Sequence, residues 1–268
     1  MKKLFYLVCT LTLIVSCKDK TSTSSTNDQE TVKDSVVEVD KPKYPEHLSQ
    51  VFDAHGGLDT WKTMRTLEFS MQKPDGYEIT TTDLKERYSL VEMPKHTIGF
   101  DGESVWKKST KGAKYEGDAK FYYNLMFYFY AMPFVLADDG INYSEAQPLT
   151  FEGKTYPGIR ISYNSGVGAS SDDEYVLYYD SDTHQMAWLA YTVTYFTKEK
   201  SKEWSYINYG KWQEVDGLLL PETISWYNVE NNAPTTIKNE VTFSNISLTT
   251  DKMDLRMYMM PEGAEEIQ

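Results

Sequence analysis

Two cysteines, four histidines and a scatter of carboxylates are the residues of this chain that could do chemistry, and their spacing decides which of them can. The sharpest pattern is Ile14-Val15-Ser16-Cys17. An aliphatic residue, a tolerant position, a small residue and a cysteine form the bacterial lipobox. Its thiol takes diacylglycerol as a thioether, and a peptidase cuts just before it. What precedes Cys17 agrees: Lys2 and Lys3 supply a positive segment, and Leu4 to Val15 is apolar apart from two threonines and Cys9. About a dozen apolar residues suit a signal peptide, whereas a bilayer-spanning helix needs about 20. Cleavage removes Cys9 and acylation consumes Cys17, so the mature chain has no thiol left for a disulfide or for cysteine catalysis.

Other candidate motifs fail on spacing or setting. There is no Gly-x-Ser-x-Gly elbow and no Walker A sequence, and Gly166-Val167-Gly168 lacks the third glycine of a dinucleotide loop. Ser104-Val105-Trp106-Lys107 matches Ser-x-x-Lys, but it follows a hairpin turn. On a strand, Ser104 and Lys107 point to opposite faces and cannot act together. Asp180, Asp182 and His184 have the odd spacing of calcium ligands, yet Gln185 stands where the loop's glycine belongs and Tyr191 where its glutamate belongs. A hairpin turn explains Asp180–Thr183 more simply. His47, His55, His96 and His184 make no HExxH and no i,i+4 pair. Asp172-Asp173-Glu174 reads as a solvated loop entering a strand. The expectation is therefore no catalytic residue, no metal and no cofactor.

Charge and composition narrow the partners. The formal charge of -13 becomes about -15 once Lys2 and Lys3 are cleaved away, which repels phosphate backbones and excludes a nucleic-acid partner. Aromatic residues make up 14%, with 21 tyrosines and 6 tryptophans, and such side chains suit the half-buried pleats of a sheet.

The elements follow from the pattern. Residues 1–16 are the signal peptide, 17–43 a lipidated polar tether too poor in apolar residues to fold, and 44–268 one β-rich domain. Pro45 to Gly57 predicts a helix with Leu48, Val51 and Phe52 on one face, stopped at Gly56-Gly57. Leu58, Trp61 and Met64 predict a second short turn. Alternation at Leu67, Phe69 and Met71 predicts a strand up to Pro74-Asp75-Gly76, then a polar strand over Tyr77 to Met93 and a hairpin at Asp101-Gly102. Six further strands are expected at Ile159–Tyr163, Tyr175–Tyr179, Met186–Phe196, Trp204–Trp212, Leu218–Tyr227 and Thr236–Ile246, which makes about ten in all.

One segment breaks the alternation. From Phe121 to Ala137 nearly every residue is apolar or aromatic. At 17 residues, interrupted by Pro133, it predicts a buried helix rather than a membrane span. Phe121, Leu125, Phe129 and Met132 recur at helical spacing and are expected to face the sheet. They can be plain core, or Leu125, Met126, Phe129, Met132 and Phe134 can line a pocket for a lipid or other apolar ligand.

Together these elements resemble the outer-membrane lipoprotein carrier and sorting fold (LolA-like), a half-barrel of antiparallel strands with helices across its mouth. The resemblance rests on the helix before Leu58–Met64, the strand Leu67–Met71, the Phe100-Asp101-Gly102 hairpin with Trp106, the strand Tyr175–Tyr179 and Val215-Asp216-Gly217-Leu218-Leu219-Leu220-Pro221. Through His55-Gly56-Gly57-Leu58, Ala131-Met132-Pro133-Phe134 and Tyr191-Thr192-Val193-Thr194-Tyr195 the chain is also similar to an uncharacterised family of Bacteroidetes-type lipoproteins. The resemblance implies a mainly β half-barrel curled around an apolar helix, with a cavity for acyl chains. The expectation is a non-enzymatic lipoprotein of the cell envelope, held to the membrane through Cys17, with the outer membrane as its expected address. Two rivals stand beside it. One is a glycan binder stacking sugars on exposed Trp106, Trp188, Trp204, Trp212 or Trp226, and the other a hydrolase built from dispersed carboxylates.

Overall fold

The computed structural model describes residues 43–166, 171–197 and 199–267. Cys17, the signal peptide and the tether before residue 43 lie outside the described residues, as do Val167 and Gly168. The first described helix, α1 (Glu46–Ala54), buries Leu48, Val51 and Phe52, and α2 (Leu58–Thr63) follows with Trp61 buried. The break between them needs glycine. Gly56 has φ +99°, and a Cβ there would lie 2.2 Å from the carbonyl oxygen of Gly217.

The chain then makes five strands: β1 (Thr66–Lys73), β2 (Gly76–Asp83), β3 (Ser89–Glu92), β4 (His96–Phe100) and β5 (Val105–Ser109). Two short helices, α3 (Ala119–Tyr122) and α4 (Leu125–Tyr130), and a 3₁₀ turn at Phe134–Ala137 come next. Eight more strands complete the fold: β6 (Ile141–Phe151), β7 (Lys154–Tyr163), β8 (Tyr175–Tyr179), β9 (Met186–Tyr191), β10 (Ser205–Val215), β11 (Leu218–Glu230), β12 (Ala233–Thr249) and β13 (Glu265–Ile267).

The thirteen strands of the described residues belong to one sheet in the order β13-β5-β4-β3-β2-β1-β12-β11-β10-β9-β8-β7-β6, and every ladder in it is antiparallel. Its end strands β13 and β6 do not pair, so the sheet curls without closing. This is the mainly β half-barrel that the alternation and the resemblance predict. The order also explains the aromatic segment. The chain leaves the sheet near one edge, at β5, and re-enters at the opposite edge, at β6, so residues 110–140 must cross from one side to the other. The apolar stretch makes that crossing over the sheet's inner face. Phe69 of β1 and Phe243 of β12 grip Tyr130 there, with ring centroids 4.4 and 4.5 Å from it.

Several expectations are corrected. The segment from Phe121 to Ala137 is not one helix kinked at Pro133 but three short pieces. Asn124, with φ -127°, interrupts the first break, and Pro133, which has no N–H to donate, lies at the second. Such fragments leave carbonyl oxygens unpaired. Hydroxyl groups satisfy them: Ser89 donates to Tyr123 O, Tyr209 to Phe129 O, Tyr143 to Leu136 O and Tyr44 to Ala137 O, at 2.6–3.1 Å. Part of the chain's wealth of tyrosine is thereby accounted for.

The polar strand expected over Tyr77–Met93 is two strands, because Asp83 Oδ1 accepts from the backbone N–H of Lys85 and of Glu86 and turns the chain. The strand from Met186 ends at Tyr191 instead of Phe196, where Thr194 N–H donates to Asp173 Oδ1 at 2.6 Å and pulls the chain out of the ladder. The strand expected over Thr236–Ile246 extends to Ala233–Thr249. Strands β6 and β13 were not anticipated. No helix among the described residues is long and apolar enough to cross a membrane.

Candidate functional site

Where the helical crossing passes between the two edges of the sheet, it leaves a cavity of about 980 Å³. Each wall comes from a different part of the chain. The crossing supplies Leu125, Phe129, Met132 and Val135. One end of the sheet contributes Phe100 of β4, Val105 of β5 and Ile267 of β13, and the other Ile141 of β6, Tyr163 of β7 and Tyr175 of β8. Glu103, Lys120, Asp138, Asp139, Asp173 and Glu266 bring charge to the lining. The space is thus largely aromatic and aliphatic, with five carboxylates against one ammonium.

Aromatic stacking fixes the walls. Phe129 lies 5.2 Å from Tyr191 and 5.8 Å from Trp226, whose Nε1–H donates to the Tyr191 hydroxyl at 3.1 Å. Tyr163 and Tyr175 meet edge to face at 5.8 Å. Burial pushes the phenols of Tyr123, Tyr128, Tyr163 and Tyr175 upward, so each stays neutral and keeps its hydroxyl proton to offer. Asp138 is also pushed up, chiefly by burial, against the pull of Arg87. Arg87 Nη2 donates to both oxygens of Asp138, at 2.6 and 2.7 Å, and its guanidinium lies 5.1 Å over the ring of Phe127.

Of the five pocket residues expected from sequence, Leu125, Phe129 and Met132 line the cavity. Met126 and Phe134 do not: Met126 is 7% exposed within the core, and Phe134 stacks on Trp61 at 4.8 Å. Phe121 also borders the cavity. It sits at the mouth against Tyr195 and Phe196, each 5.0 Å away, and Phe196 is exposed. Sequence reasoning missed Tyr163, Tyr175, Asp138 and Arg87, whose common neighbourhood exists only once the sheet curls. Asp173, expected in a solvated loop, lines the mouth and accepts from Thr194, while Glu174 pairs with Arg160 at 3.1 Å.

The remaining candidates have local partners. Ser104 Oγ donates to Glu266 at 2.7 Å while Lys107 pairs with Glu265 at 2.8 Å, so the two engage different residues of β13. Asp180 accepts from the backbone of Asp182 and Thr183 and pairs with Lys154, which drives its carboxyl far down; it closes a hairpin. His55 is buried, with Nε2 accepting from Met186 N–H at 3.0 Å and Nδ1 donating to Leu219 O at 3.2 Å. His96 bonds Ser109, and His47 and His184 both stack on Tyr179. Among the described residues no three His, Cys, Asp or Glu side chains are grouped to hold a metal ion. None of the six tryptophans is exposed; Trp106 and Trp188 are buried and the other four buried or half-buried.

The chain belongs to a family of unknown function, DUF6503, whose model matches residues 2–229. No curated protein matches it. Among solved structures it is similar to a DUF1329 family protein from Desulfovibrio piger, at 13% identity and a TM-score of 0.44 over 75% of this chain and 93% of that one. It is also similar to a LolA superfamily protein from Nitrosomonas europaea, at 8% identity and a TM-score of 0.42 over 74% and 89%. A third is an outer-membrane lipoprotein-sorting protein domain from Vibrio parahaemolyticus, at 10% identity and a TM-score of 0.34 over 75% and 95%.

Proposed function

From membership of a family without an assigned activity, and from the cavity that the crossing segment leaves between the sheet edges, we propose that this chain is a cell-envelope lipoprotein that binds or carries an apolar ligand. The observation that carries the reading is the cavity itself. About 980 Å³ lies at the upper end of the roughly 300–1,000 Å³ of ligand sites, and Leu125, Phe129, Met132, Val135 and Ile141 make its wall apolar. Burial of hydrocarbon supplies the affinity at roughly 0.8 kcal/mol per methylene, before the ordering costs of binding are subtracted. No bond is made or broken in this mechanism. Acylation at Cys17 anchors the protein, and the polar tether sets how far the cavity reaches from the membrane.

The glycan-binding rival needs a row of solvent-facing indoles, and none of the six is exposed. The test is native mass spectrometry of the purified protein with lipid extraction of the same sample. A stoichiometric co-purifying lipid supports the carrier reading and names the ligand class. A protein that carries no lipid and refuses added fatty acids, acylglycerols and phospholipids refutes it.

A further inference from the structure

Beside the main cavity lies a second space of about 60 Å³, bounded by Thr82 and Ser89 from the sheet, Arg87 from the turn after β2, and Tyr123, Asn124 and Tyr128 from the crossing. Tyr123, Asn124 and Tyr128 border both spaces. Two buried polar atoms of this niche, Arg87 Nη1 and Thr82 Oγ1, have no hydrogen-bond partner among the described residues. Buried polar groups are almost always paired, so two orphans facing one small space call for a partner from outside the chain. Arg87 is held in place by its turn, where its backbone N–H donates to Asp83 O at 2.8 Å.

The charges say what that partner is. Arg87 Nη2 is spent on Asp138, which cancels the guanidinium charge and leaves Nη1–H as a donor without a free positive field. At the mouth the lining carries Glu103, Asp139, Asp173 and Glu266 with Lys120 as its one ammonium, and Asp139 pairs outside the lining with Lys43 at 3.2 Å, which leaves an excess of carboxylate. An anionic headgroup would enter this surplus of like charge, whereas a neutral oxygen accepts from Nη1 and from the Thr82 hydroxyl at no such cost.

We propose that the cavity and the niche form a two-part site for an uncharged amphiphile, with its hydrocarbon against Leu125, Phe129 and Met132 and an ester carbonyl or hydroxyl oxygen bonded to Arg87 Nη1 and Thr82 Oγ1. The proposal rests on the apolar-ligand reading above and adds the headgroup class. The site selects neutral acylglycerol-like lipids and rejects fatty acids and anionic phospholipids.

Displacement of Nile red from the purified protein at pH 8 tests it, with monooleoylglycerol and oleate as competitors sharing one chain. Monooleoylglycerol is expected to compete at least tenfold better than oleate. Thr82→Val removes the orphan hydroxyl at nearly constant volume. It should weaken monooleoylglycerol threefold or more, leave Nile red and oleate unchanged, and keep or raise the thermal midpoint. Thr82→Ser should restore the wild-type preference. Oleate binding as well as monooleoylglycerol, or a Thr82→Val protein with unaltered preference, overturns the headgroup assignment and leaves the cavity reading standing. Failure of Nile red and both lipids to bind overturns the two together.

Discussion

Protonation of His55 should unfold this protein by an amount the structure allows to be worked out. The ring is buried at the end of α1, 4.2 Å from the Trp212 ring. Its Nε2 must be unprotonated to accept from Met186 N–H, and its Nδ1–H donates to Leu219 O. Burial pushes its pKa down from 6.5 to about 4, against the opposing pull of the Leu219 carbonyl. The unfolded chain therefore binds this proton first as pH falls, and stability drops through the window from about pH 6.5 to about pH 4. A shift of about 2.5 units at 1.36 kcal/mol per unit makes the full loss about 3 kcal/mol, most of it incurred by pH 4.5. Above pH 6.5 His55 is neutral in both states and the contribution is intact.

The assay is urea unfolding followed by tryptophan fluorescence at pH 7.5, 6.5, 5.5 and 4.5, for the wild type and for His55→Gln. Glutamine keeps one hydrogen-bonding group but cannot titrate, so carboxylate effects common to both proteins cancel in the difference. At pH 7.5 the variant should be about 2 kcal/mol less stable, from one lost buried bond and poorer packing. That gap should close as pH falls, and reverse by pH 4.5. A difference that stays flat between pH 7.5 and 4.5 would refute the assignment of a buried, neutral His55.

Gly56→Ala should cost about 2–4 kcal/mol in the same unfolding assay, because the new methyl meets the Gly217 carbonyl at 2.2 Å and the backbone is left-handed. A loss under about 1 kcal/mol would show that the α1–β11 contact yields. Tyr130→Phe removes a buried hydroxyl that has no partner among the described residues, so it should leave the stability unchanged or raise it, by up to about 1 kcal/mol; a clear loss would reveal a bond to that hydroxyl. Leu125→Trp should narrow the cavity at the crossing and weaken Nile red binding severalfold with the circular dichroism unchanged. Undiminished dye binding would place the dye elsewhere.

What the sequence disclosed, and what it hid, follows from how far apart the partners lie. Local signals were readable: Leu48, Val51 and Phe52 at helical spacing, the Gly56-Gly57 stop, alternation at Leu67–Met71, and the Asp101-Gly102 turn. Strand β6 escaped because a bulge between Ala146 and Leu149 shifts the phase of its alternation and Pro148 sits at the break, a pattern an edge strand tolerates. Strand β13 is three residues long, too short to carry a period. The crossing segment read as one helix because its apolar content is continuous, while its interruptions depend on tyrosines elsewhere that cap the broken ends. Three of five cavity residues were legible: Leu125 and Phe129 lie one turn apart on α4, and Met132 follows just past its end. The charged mouth was not, because Glu103, Asp138, Asp173 and Glu266 come from four separate stretches of chain that meet only in the curled sheet.

The seam down the middle of that sheet governs when the molecule can come into being. Thr66 of β1 pairs with Thr249 of β12, 183 positions later (249 - 66). A chain emerging at roughly 5–20 residues per second waits roughly 10–40 s between making one partner and making the other. Through that interval β1 can zip to β2 but shows a bare edge bearing Leu67, Phe69 and Met71, the sort of surface that recruits other chains. Contacts of such long separation also make the final closure slow. The consequence is one of order: whatever forms early stays loose, and the sheet is completed only when its last long strand exists.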